Sequence, residues 1–328
     1  MPNAENAKLE YEAGQNSAAM GALTDSGDQL TFNSSASLWS RKSGFEPSVK
    51  PDGLATGGVV SAAASASDDV VDIAALTAYV GGVLKSVSAS ADEAITRAAT
   101  AVASISSITV TSAGVIAVVK GTDSADSSFS EVRDAAGGPP LIPVGSVEIA
   151  QVRTTTNAAG PITADEIFQV VGTHQERYDF PLFDINYGAG TVTFLSALPK
   201  IHVGTLAKGV FASYAEPIFS EVSLASDFTP AETSHSVSSE QVYGATVGSS
   251  SSSLGQGSFT AKLQDGVTDA LVGLKNENLW FRFYPNKYAA PYILTQGKLG
   301  ISRSFPAGSN MAVACTISAD AESAEKAS

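Results

Sequence analysis

Cysteine, positive charge and long apolar runs are all scarce in this sequence, and each shortage removes a class of protein. A single cysteine, Cys315, rules out an intramolecular disulfide framework. The histidines His174, His202 and His235 lie far apart, so no zinc-ligand spacing is present either. Lys and Arg number 19 against 33 Asp and Glu, for a formal net charge of -14 and a pI of about 4.6. Tight binding to a nucleic-acid backbone needs basic contacts to phosphate, which this balance excludes. An acidic wall instead suits a surface that DNA passes without sticking. The apolar stretches are broken by polar residues well short of a membrane span. The opening MPNAENAKLEYEAG has neither a basic start nor an apolar run, so synthesis and folding in a cytoplasm are expected, with any export by a non-secretory route.

Catalytic signatures are missing too. The chain has no Gly-x-Ser-x-Gly elbow, P-loop or dinucleotide fingerprint. In AGGPPLIPVG two adjacent prolines remove the amide donors that a phosphate cradle needs. His174 in GTHQERYDFP has Glu176, Arg177 and Asp179 beside it, a grouping expected at a solvated strand-to-loop junction more than at an acid-base centre. Asp123, Asp126, Glu131 and Asp134 crowd one stretch without the spacing of a calcium loop. The expectation is a protein without enzymatic activity, cofactor or metal.

What the chain does have is length, small neutral residues and β pattern. Its 328 residues are 44% hydrophobic and only 16% charged, enough for one large domain or two ordinary ones. Ser, Ala, Gly and Thr fill the place of charge, a surface natural to a subunit whose faces meet other subunits. Hairpins are expected around Gly81-Gly82, around Ser112-Ala113-Gly114 and around Gly188-Ala189-Gly190. Pro143–Thr156 alternates as a further strand, and Met311, Val313, Cys315 and Ile317 alternate onto one face, which makes Cys315 a small core residue. A helix is expected over Asp265–Asn278, and a weaker helical pattern surrounds Asp92. Residues 1–56 read as a flexible arm ordered by a neighbour. The serine-rich stretch Thr233–Gly257 reads as a flexible loop or as a long hairpin whose tip orders against an adjacent subunit.

Aromatic residues make up 8% of the chain, and LWFRFYPNK, Leu279 to Lys287, concentrates four of them. Strand alternation puts Leu279, Phe281 and Phe283 on a core face and Trp280, Arg282 and Tyr284 on the other. Trp, Arg and Tyr are enriched in buried interfaces, so these three are the candidate subunit-interface residues, expected to meet the helix of their own chain or a neighbouring subunit.

The order of a Gly-Ser-rich stretch, the strand GSFTAKLQ, a short helix, the aromatic strand, and a closing strand pair joined at SFPAGSN resembles the C-terminal part of the major tail tube proteins of long-tailed bacteriophages. The phrases MGALTDSGDQLTF, LWSRKSG and VKPDGLATGG look like the opening of such proteins, and the resemblance covers residues 20–85 and 215–320 best. It implies a mainly β, tail-tube-type sandwich or barrel with one short helix, a long loop or hairpin, an N-terminal arm and an inserted β region. Residues 1–56 would be the arm, 57–89 and 216–320 the tube-forming sandwich, 90–215 the added β region, and 321–328 a tail. It further implies hexameric rings stacked into a tube of the virion tail, which would be assembled in the host bacterial cytoplasm. Its partners would be its own copies, a tape-measure protein and tail terminator or tip proteins, with transient non-specific passage of DNA and no membrane. The competing readings are a surface adhesin or decoration protein that stacks glycan on the aromatic face, a related tail-completion or tip protein, and a polysaccharide hydrolase, which needs paired carboxylates at a cleft.

Overall fold

A computed structural model describes residues 6–327 of the chain. It is mainly β, as expected, with 50% of residues in strands and 2% in helix. The sheets are open and sandwich-like, and among the described residues none closes into a barrel. Among the same residues no helix is long and apolar enough to cross a membrane.

The chain divides into two compact units. The first comprises the residues up to Ala18, Leu38–Glu46 and those from Tyr214 onward; the second comprises Ala19–Ser37 and Pro47–Ser213.

The first unit is organised by a broad sheet. Its neighbouring strands are, in order, Ser226–Thr229, Gly257–Lys262, Ala312–Ala319, Tyr292–Ser304, Asn278–Tyr284, Lys8–Ala22 and Val210–Glu221. One face carries the core: Leu9, Tyr11, Phe259, Leu279, Phe281, Leu299, Val313, Cys315 and Ile317, with Leu271 packed on them. Alternation explains this directly, since Leu9 and Tyr11, Leu279 and Phe281, and Val313, Cys315 and Ile317 sit two positions apart along their strands. Cys315 lies in this core as expected, and burial pushes its thiol up to about 12.

Three expectations for this unit change. The arm is no arm where it is described, because Lys8–Ala22 is an interior strand whose Leu9 and Tyr11 fill the core; residues 1–5 lie outside the described residues. The tail is likewise tied down, Ala324–Lys326 pairing with Tyr292–Leu294. The helix shrinks to Ala270–Gly273. Asp265 Oδ1 accepts the amides of Val267 and Thr268 at 2.7 Å each, and Asp269 accepts those of Gln264 and Gly266. These local bonds hold the preceding residues in turns instead of a helical ladder, and Asn276, at φ 70°, ends the segment.

In the second unit three small sheets share one core. They are Ser90–Ala94, Val70–Ile73 and Val60–Ala62; Gly53–Gly57, Leu76–Val80 and Val83–Val87; and Ile116–Lys120, Ser104–Val110, Val147–Thr154 and Ile167–Phe168. Val60, Ile73 and Leu76 from residues 57–89 pack there with Ile108, Val147 and Ile149 from beyond residue 90. The domain division expected from the sequence is corrected accordingly. Residues 57–89 belong with 90–213 and not with 216–320, because neither stretch has a core without the other. The three expected hairpins are present with their registers, Val80↔Val83, Val110↔Ile116 and Asn186↔Thr191. The helical pattern near Asp92 is instead the strand Ser90–Ala94, bulged at Asp92, whose φ of 56° is incompatible with a right-handed helix.

Candidate functional site

The aromatic strand Asn278–Tyr284 divides its side chains between faces as expected, and Leu279 and Phe281 are fully buried. The helix sits on that core face through Leu271, so it is not what the opposite face meets. Trp280, only 7% exposed, donates its indole N–H to the Trp39 carbonyl at 2.8 Å. Trp39 is itself fully buried and stacks on Tyr214 with ring centroids 4.8 Å apart. Beside them Glu12 is fully buried, accepting the Ser40 hydroxyl, the Gln15 amide at 2.8 Å and the backbone N–H of Trp280 at 3.1 Å. Burial raises the Glu12 pKa against the pull of those three donors. Arg41 closes the same side, donating to Gln296 at 2.9 Å and to Asp320 at 2.6 Å.

Arg282 and Tyr284 are half-buried. The Arg282 guanidinium lies 3.7 Å from the Phe219 ring centroid and 5.4 Å from that of Tyr292. Tyr284 contacts Tyr292 at 5.2 Å and carries the Lys8 ammonium over its ring at 4.7 Å. Trp280, Arg282 and Tyr284 thus meet strands and the Leu38–Glu46 segment of their own chain.

The cluster read from GTHQERYDFP is pulled apart by the fold. His174 is buried, and its Nδ1 accepts the Val170 amide at 3.2 Å. Desolvation, reinforced by Arg153, lowers its pKa, so the imidazole is a neutral turn lock. Arg177 and Asp179 form a surface ion pair at 3.2 Å. The acidic stretch is likewise spent on local bonds: Asp123 on Lys120 at 2.7 Å, and Glu131 on Arg153 at 2.6 Å. Among the described residues no group of three His, Cys, Asp or Glu is placed to hold a metal.

Glu176 is buried as well, and it lines a cavity of about 90 Å³ in the second unit. It is lined by Arg133, Glu148, Glu176 and Lys208, with Phe180 and Ile201 among the apolar residues. Glu148 is fully engaged, with Oε2 on Arg133 and Oε1 on the Ser107 hydroxyl and the Gln151 amide. Its own amide donates to Glu176 Oε2 at 2.7 Å. Lys208 Nζ donates to the carbonyls of Arg177 at 2.7 Å and Phe180 at 2.6 Å. Burial pushes the Glu176 carboxyl up to about 8 and raises that of Glu148; it lowers Lys208 against the attraction of Glu176 and Asp52. Asp52, buried nearby in sequence to the Gly53–Gly57 strand, is pushed up to about 6 by desolvation.

Paired carboxyls are therefore present, the requirement that sequence spacing leaves open for a hydrolase. Glu148, however, has both oxygens committed to fixed donors, so it is poorly placed to trade protons with a substrate. The one signal near this site in the sequence is Glu148 within the strand Val147–Thr154, whose polar residues are all buried beside its apolar ones.

Gly53 sets the position of Glu176. Leu54 N donates to the Glu176 carbonyl at 2.8 Å and Tyr178 N to the Leu54 carbonyl at 3.3 Å, an approach so close that a Cβ on Gly53 would collide with the Arg177–Tyr178 peptide. Gly53→Ala is expected to cost about 1–3 kcal/mol, the usual penalty of overpacking against backbone, and to loosen the cavity. Urea unfolding with hydrogen exchange at Leu54 and Tyr178 checks it; unchanged protection would count against this account.

Set beside protein-family models, curated proteins and solved structures, the chain matches none of them.

Proposed function

We propose that the chain is a structural, non-enzymatic subunit that self-assembles into stacked rings forming a tube, as the resemblance to major tail tube proteins implies, with a virion tail as its place. The observation that carries this reading is the hairpin Thr233–Val242 and Ala245–Leu254. It replaces the loop that low complexity favours, and pairs in strict register from Thr233↔Leu254 to Val242↔Ala245.

Hydroxyl pairs line one side of it: Ser234 with Ser253 at 3.0 Å, and Ser236 with Ser251 and Ser238 with Ser249 at 2.7 Å each. From Ser234 to Ser253 every described side chain is exposed, including Val237, Val247 and Tyr243. A two-stranded ribbon without a packed face is marginal in water. Its length and register make sense when both faces and edges are covered by a second copy of the chain. Small hydroxyl-bearing residues permit that close approach, and they add no charge to an already acidic subunit.

Arg282 and Tyr284, half-buried beside Lys8, remain the proposed contacts on the body of the subunit. A glycan-stacking adhesin has weaker support, since the indole of Trp280 is occupied by its own unit.

The test is negative-stain microscopy and light scattering on the full chain and on a variant lacking Ser236–Ser251, closed with Asn-Gly. The intact chain is expected to form rings or tubes. The variant is expected to stay monomeric, with an unfolding free energy within about 0.5 kcal/mol of that of the unassembled intact chain, because the deleted segment packs against nothing within its own chain. A strictly monomeric intact chain at high concentration, or tubes from the variant, would overturn the reading.

A further inference from the structure

Tyr11 brings a hydroxyl without a partner to a pocket in the first unit. The pocket has a volume of about 140 Å³, and its apolar wall comes from Val222, Ala261, Leu263, Ala270 and Leu271. Tyr11 borders it and is only 7% exposed. Among the described residues its hydroxyl makes no hydrogen bond, yet its oxygen is not one of the polar atoms sealed away from solvent. Desolvation alone acts on the phenol and raises its pKa. A buried tyrosine hydroxyl ordinarily has a partner, so this one is left open to a group that enters the pocket. Glu221, Lys262 and Asp269 also border the pocket, and Asp269 is turned to the amides of Gln264, Asp265 and Gly266.

We propose that this pocket receives a tyrosine side chain, that of Tyr243 from a second copy of the chain, with the two phenol hydroxyls hydrogen-bonded to each other. The inference rests on the assembly reading above and names the contact by which the hairpin tip docks. Size points to one ring: a cavity of about 150 Å³ takes a benzene-sized group, and this one has about 140 Å³. The wall points to a ring with a hydroxyl, since it is apolar apart from the Tyr11 oxygen, and either phenol can donate to the other. Two carboxylates stand against one lysine at the border, which disfavours an anion, and a phenol brings no charge. Tyr243 is the matching donor of the ring. It stands at the turn of the serine-rich hairpin and is 109% exposed, the most of any large hydrophobic residue described. Strands of ten residues set it about 30 Å from the base of the ribbon, far enough to reach a neighbour. Tyr288, exposed by 77%, already has the Lys287 ammonium over its ring at 5.4 Å, whereas the Tyr243 ring meets no ring or cation among the described residues.

The experiment has two arms. Light scattering with negative-stain microscopy follows assembly of the full chain, and saturation-transfer NMR follows p-cresol, the tyrosine side chain as a free molecule, on the unassembled Tyr243→Ala chain. Tyr243→Ala is expected to raise the concentration at which the chain assembles by about thirtyfold or more, as loss of a hot-spot residue does. Tyr243→Phe and Tyr11→Phe are each expected to raise it by about threefold to tenfold, the worth of one hydrogen bond. The double variant should go no further than either, because both changes remove the same bond. Tyr11→Phe keeps the ring in the core and removes only an unpaired hydroxyl, so unfolding of the unassembled chain should not change. p-Cresol should bind saturably and more tightly than toluene, and Tyr11→Phe should erase that difference. Assembly of Tyr243→Ala at the wild-type concentration, while the hairpin-deleted chain stays monomeric, would overturn this inference and leave the assembly reading standing. Absence of a saturable p-cresol signal, or equal binding of p-cresol and toluene, would overturn it as well. A full chain that never assembles would overturn both.

Discussion

Trp280→Ala is expected to destabilise the first unit by about 3–5 kcal/mol, the range for removing a buried aromatic side chain from a site that cannot collapse. The site is fixed from several sides. The Trp39–Tyr214 stack, the buried Glu12 carboxyl held by Ser40 and Gln15, and Arg41 bound to Gln296 and Asp320 each have partners of their own, so none is free to fill the void. The loss also strands the Trp39 carbonyl that the indole N–H satisfies. Trp280→Phe separates the two effects. It keeps most of the ring volume and loses the N–H, for an expected cost of about 1–3 kcal/mol. Arg282→Ala and Tyr284→Ala remove half-buried groups and are expected to cost about 1 kcal/mol each while weakening assembly. Urea unfolding paired with light scattering reads both quantities. A Trp280→Ala chain that unfolds at the wild-type midpoint but no longer assembles would reverse the roles given to these residues.

That contrast shows what the sequence made legible. Alternation of two residues is a local property of a strand, so the split of LWFRFYPNK between faces, the Met311–Ile317 face and three hairpin turns could all be read without coordinates. What covers each face is not local. Trp280 is sealed by Trp39, which lies 241 residues away along the chain, and no pattern within either segment names the other. The arm failed for a related reason. Lys8–Ala22 is poor in apolar residues, yet an interior strand needs only two of them, Leu9 and Tyr11, when its neighbours supply the rest of the core. The helix failed because its periodicity was right but Asp265 and Asp269 capture the amides that would begin it. The cavity was the least legible feature. Glu148, Glu176 and Lys208 are ordinary charges in the sequence, and only burial in a folded unit makes them unusual.

Burial of those charges predicts how stability depends on pH. A carboxyl with a raised folded-state pKa favours the native state fully below its unfolded value and loses that contribution as pH rises through the folded value. For Glu176 the window runs from its ordinary 4.5 to about 8, a loss of up to about 5 kcal/mol at 1.36 kcal/mol per unit. Asp52 adds a window from 3.8 to about 6, with a loss of up to about 3 kcal/mol. Lys208 acts in the opposite sense. Its pKa is lowered by burial, so it returns stability as pH climbs toward its ordinary 10.5. The exposed carboxylates Asp28 and Asp265, held at about 2 by backbone and hydroxyl donors, matter only in stronger acid, where stability falls as they protonate. Stability of the second unit is therefore expected to decline from mildly acid to mildly alkaline pH and to turn upward only beyond it. Glu176→Gln keeps the bond to the Glu148 amide but has no proton to lose, so it should match the wild type near pH 4.5 and exceed its stability near pH 8.5. Asp52→Asn should remove the Asp52 window and lower the Lys208 pKa further by taking away an attracting charge, while its amide oxygen still accepts the Gly81 N–H that Asp52 holds at 2.7 Å. Urea titrations at both pH values decide the matter. Curves for Glu176→Gln that run parallel to the wild type across this range would mean that Glu176 enters the fold ionised, as the counter-charge of Lys208.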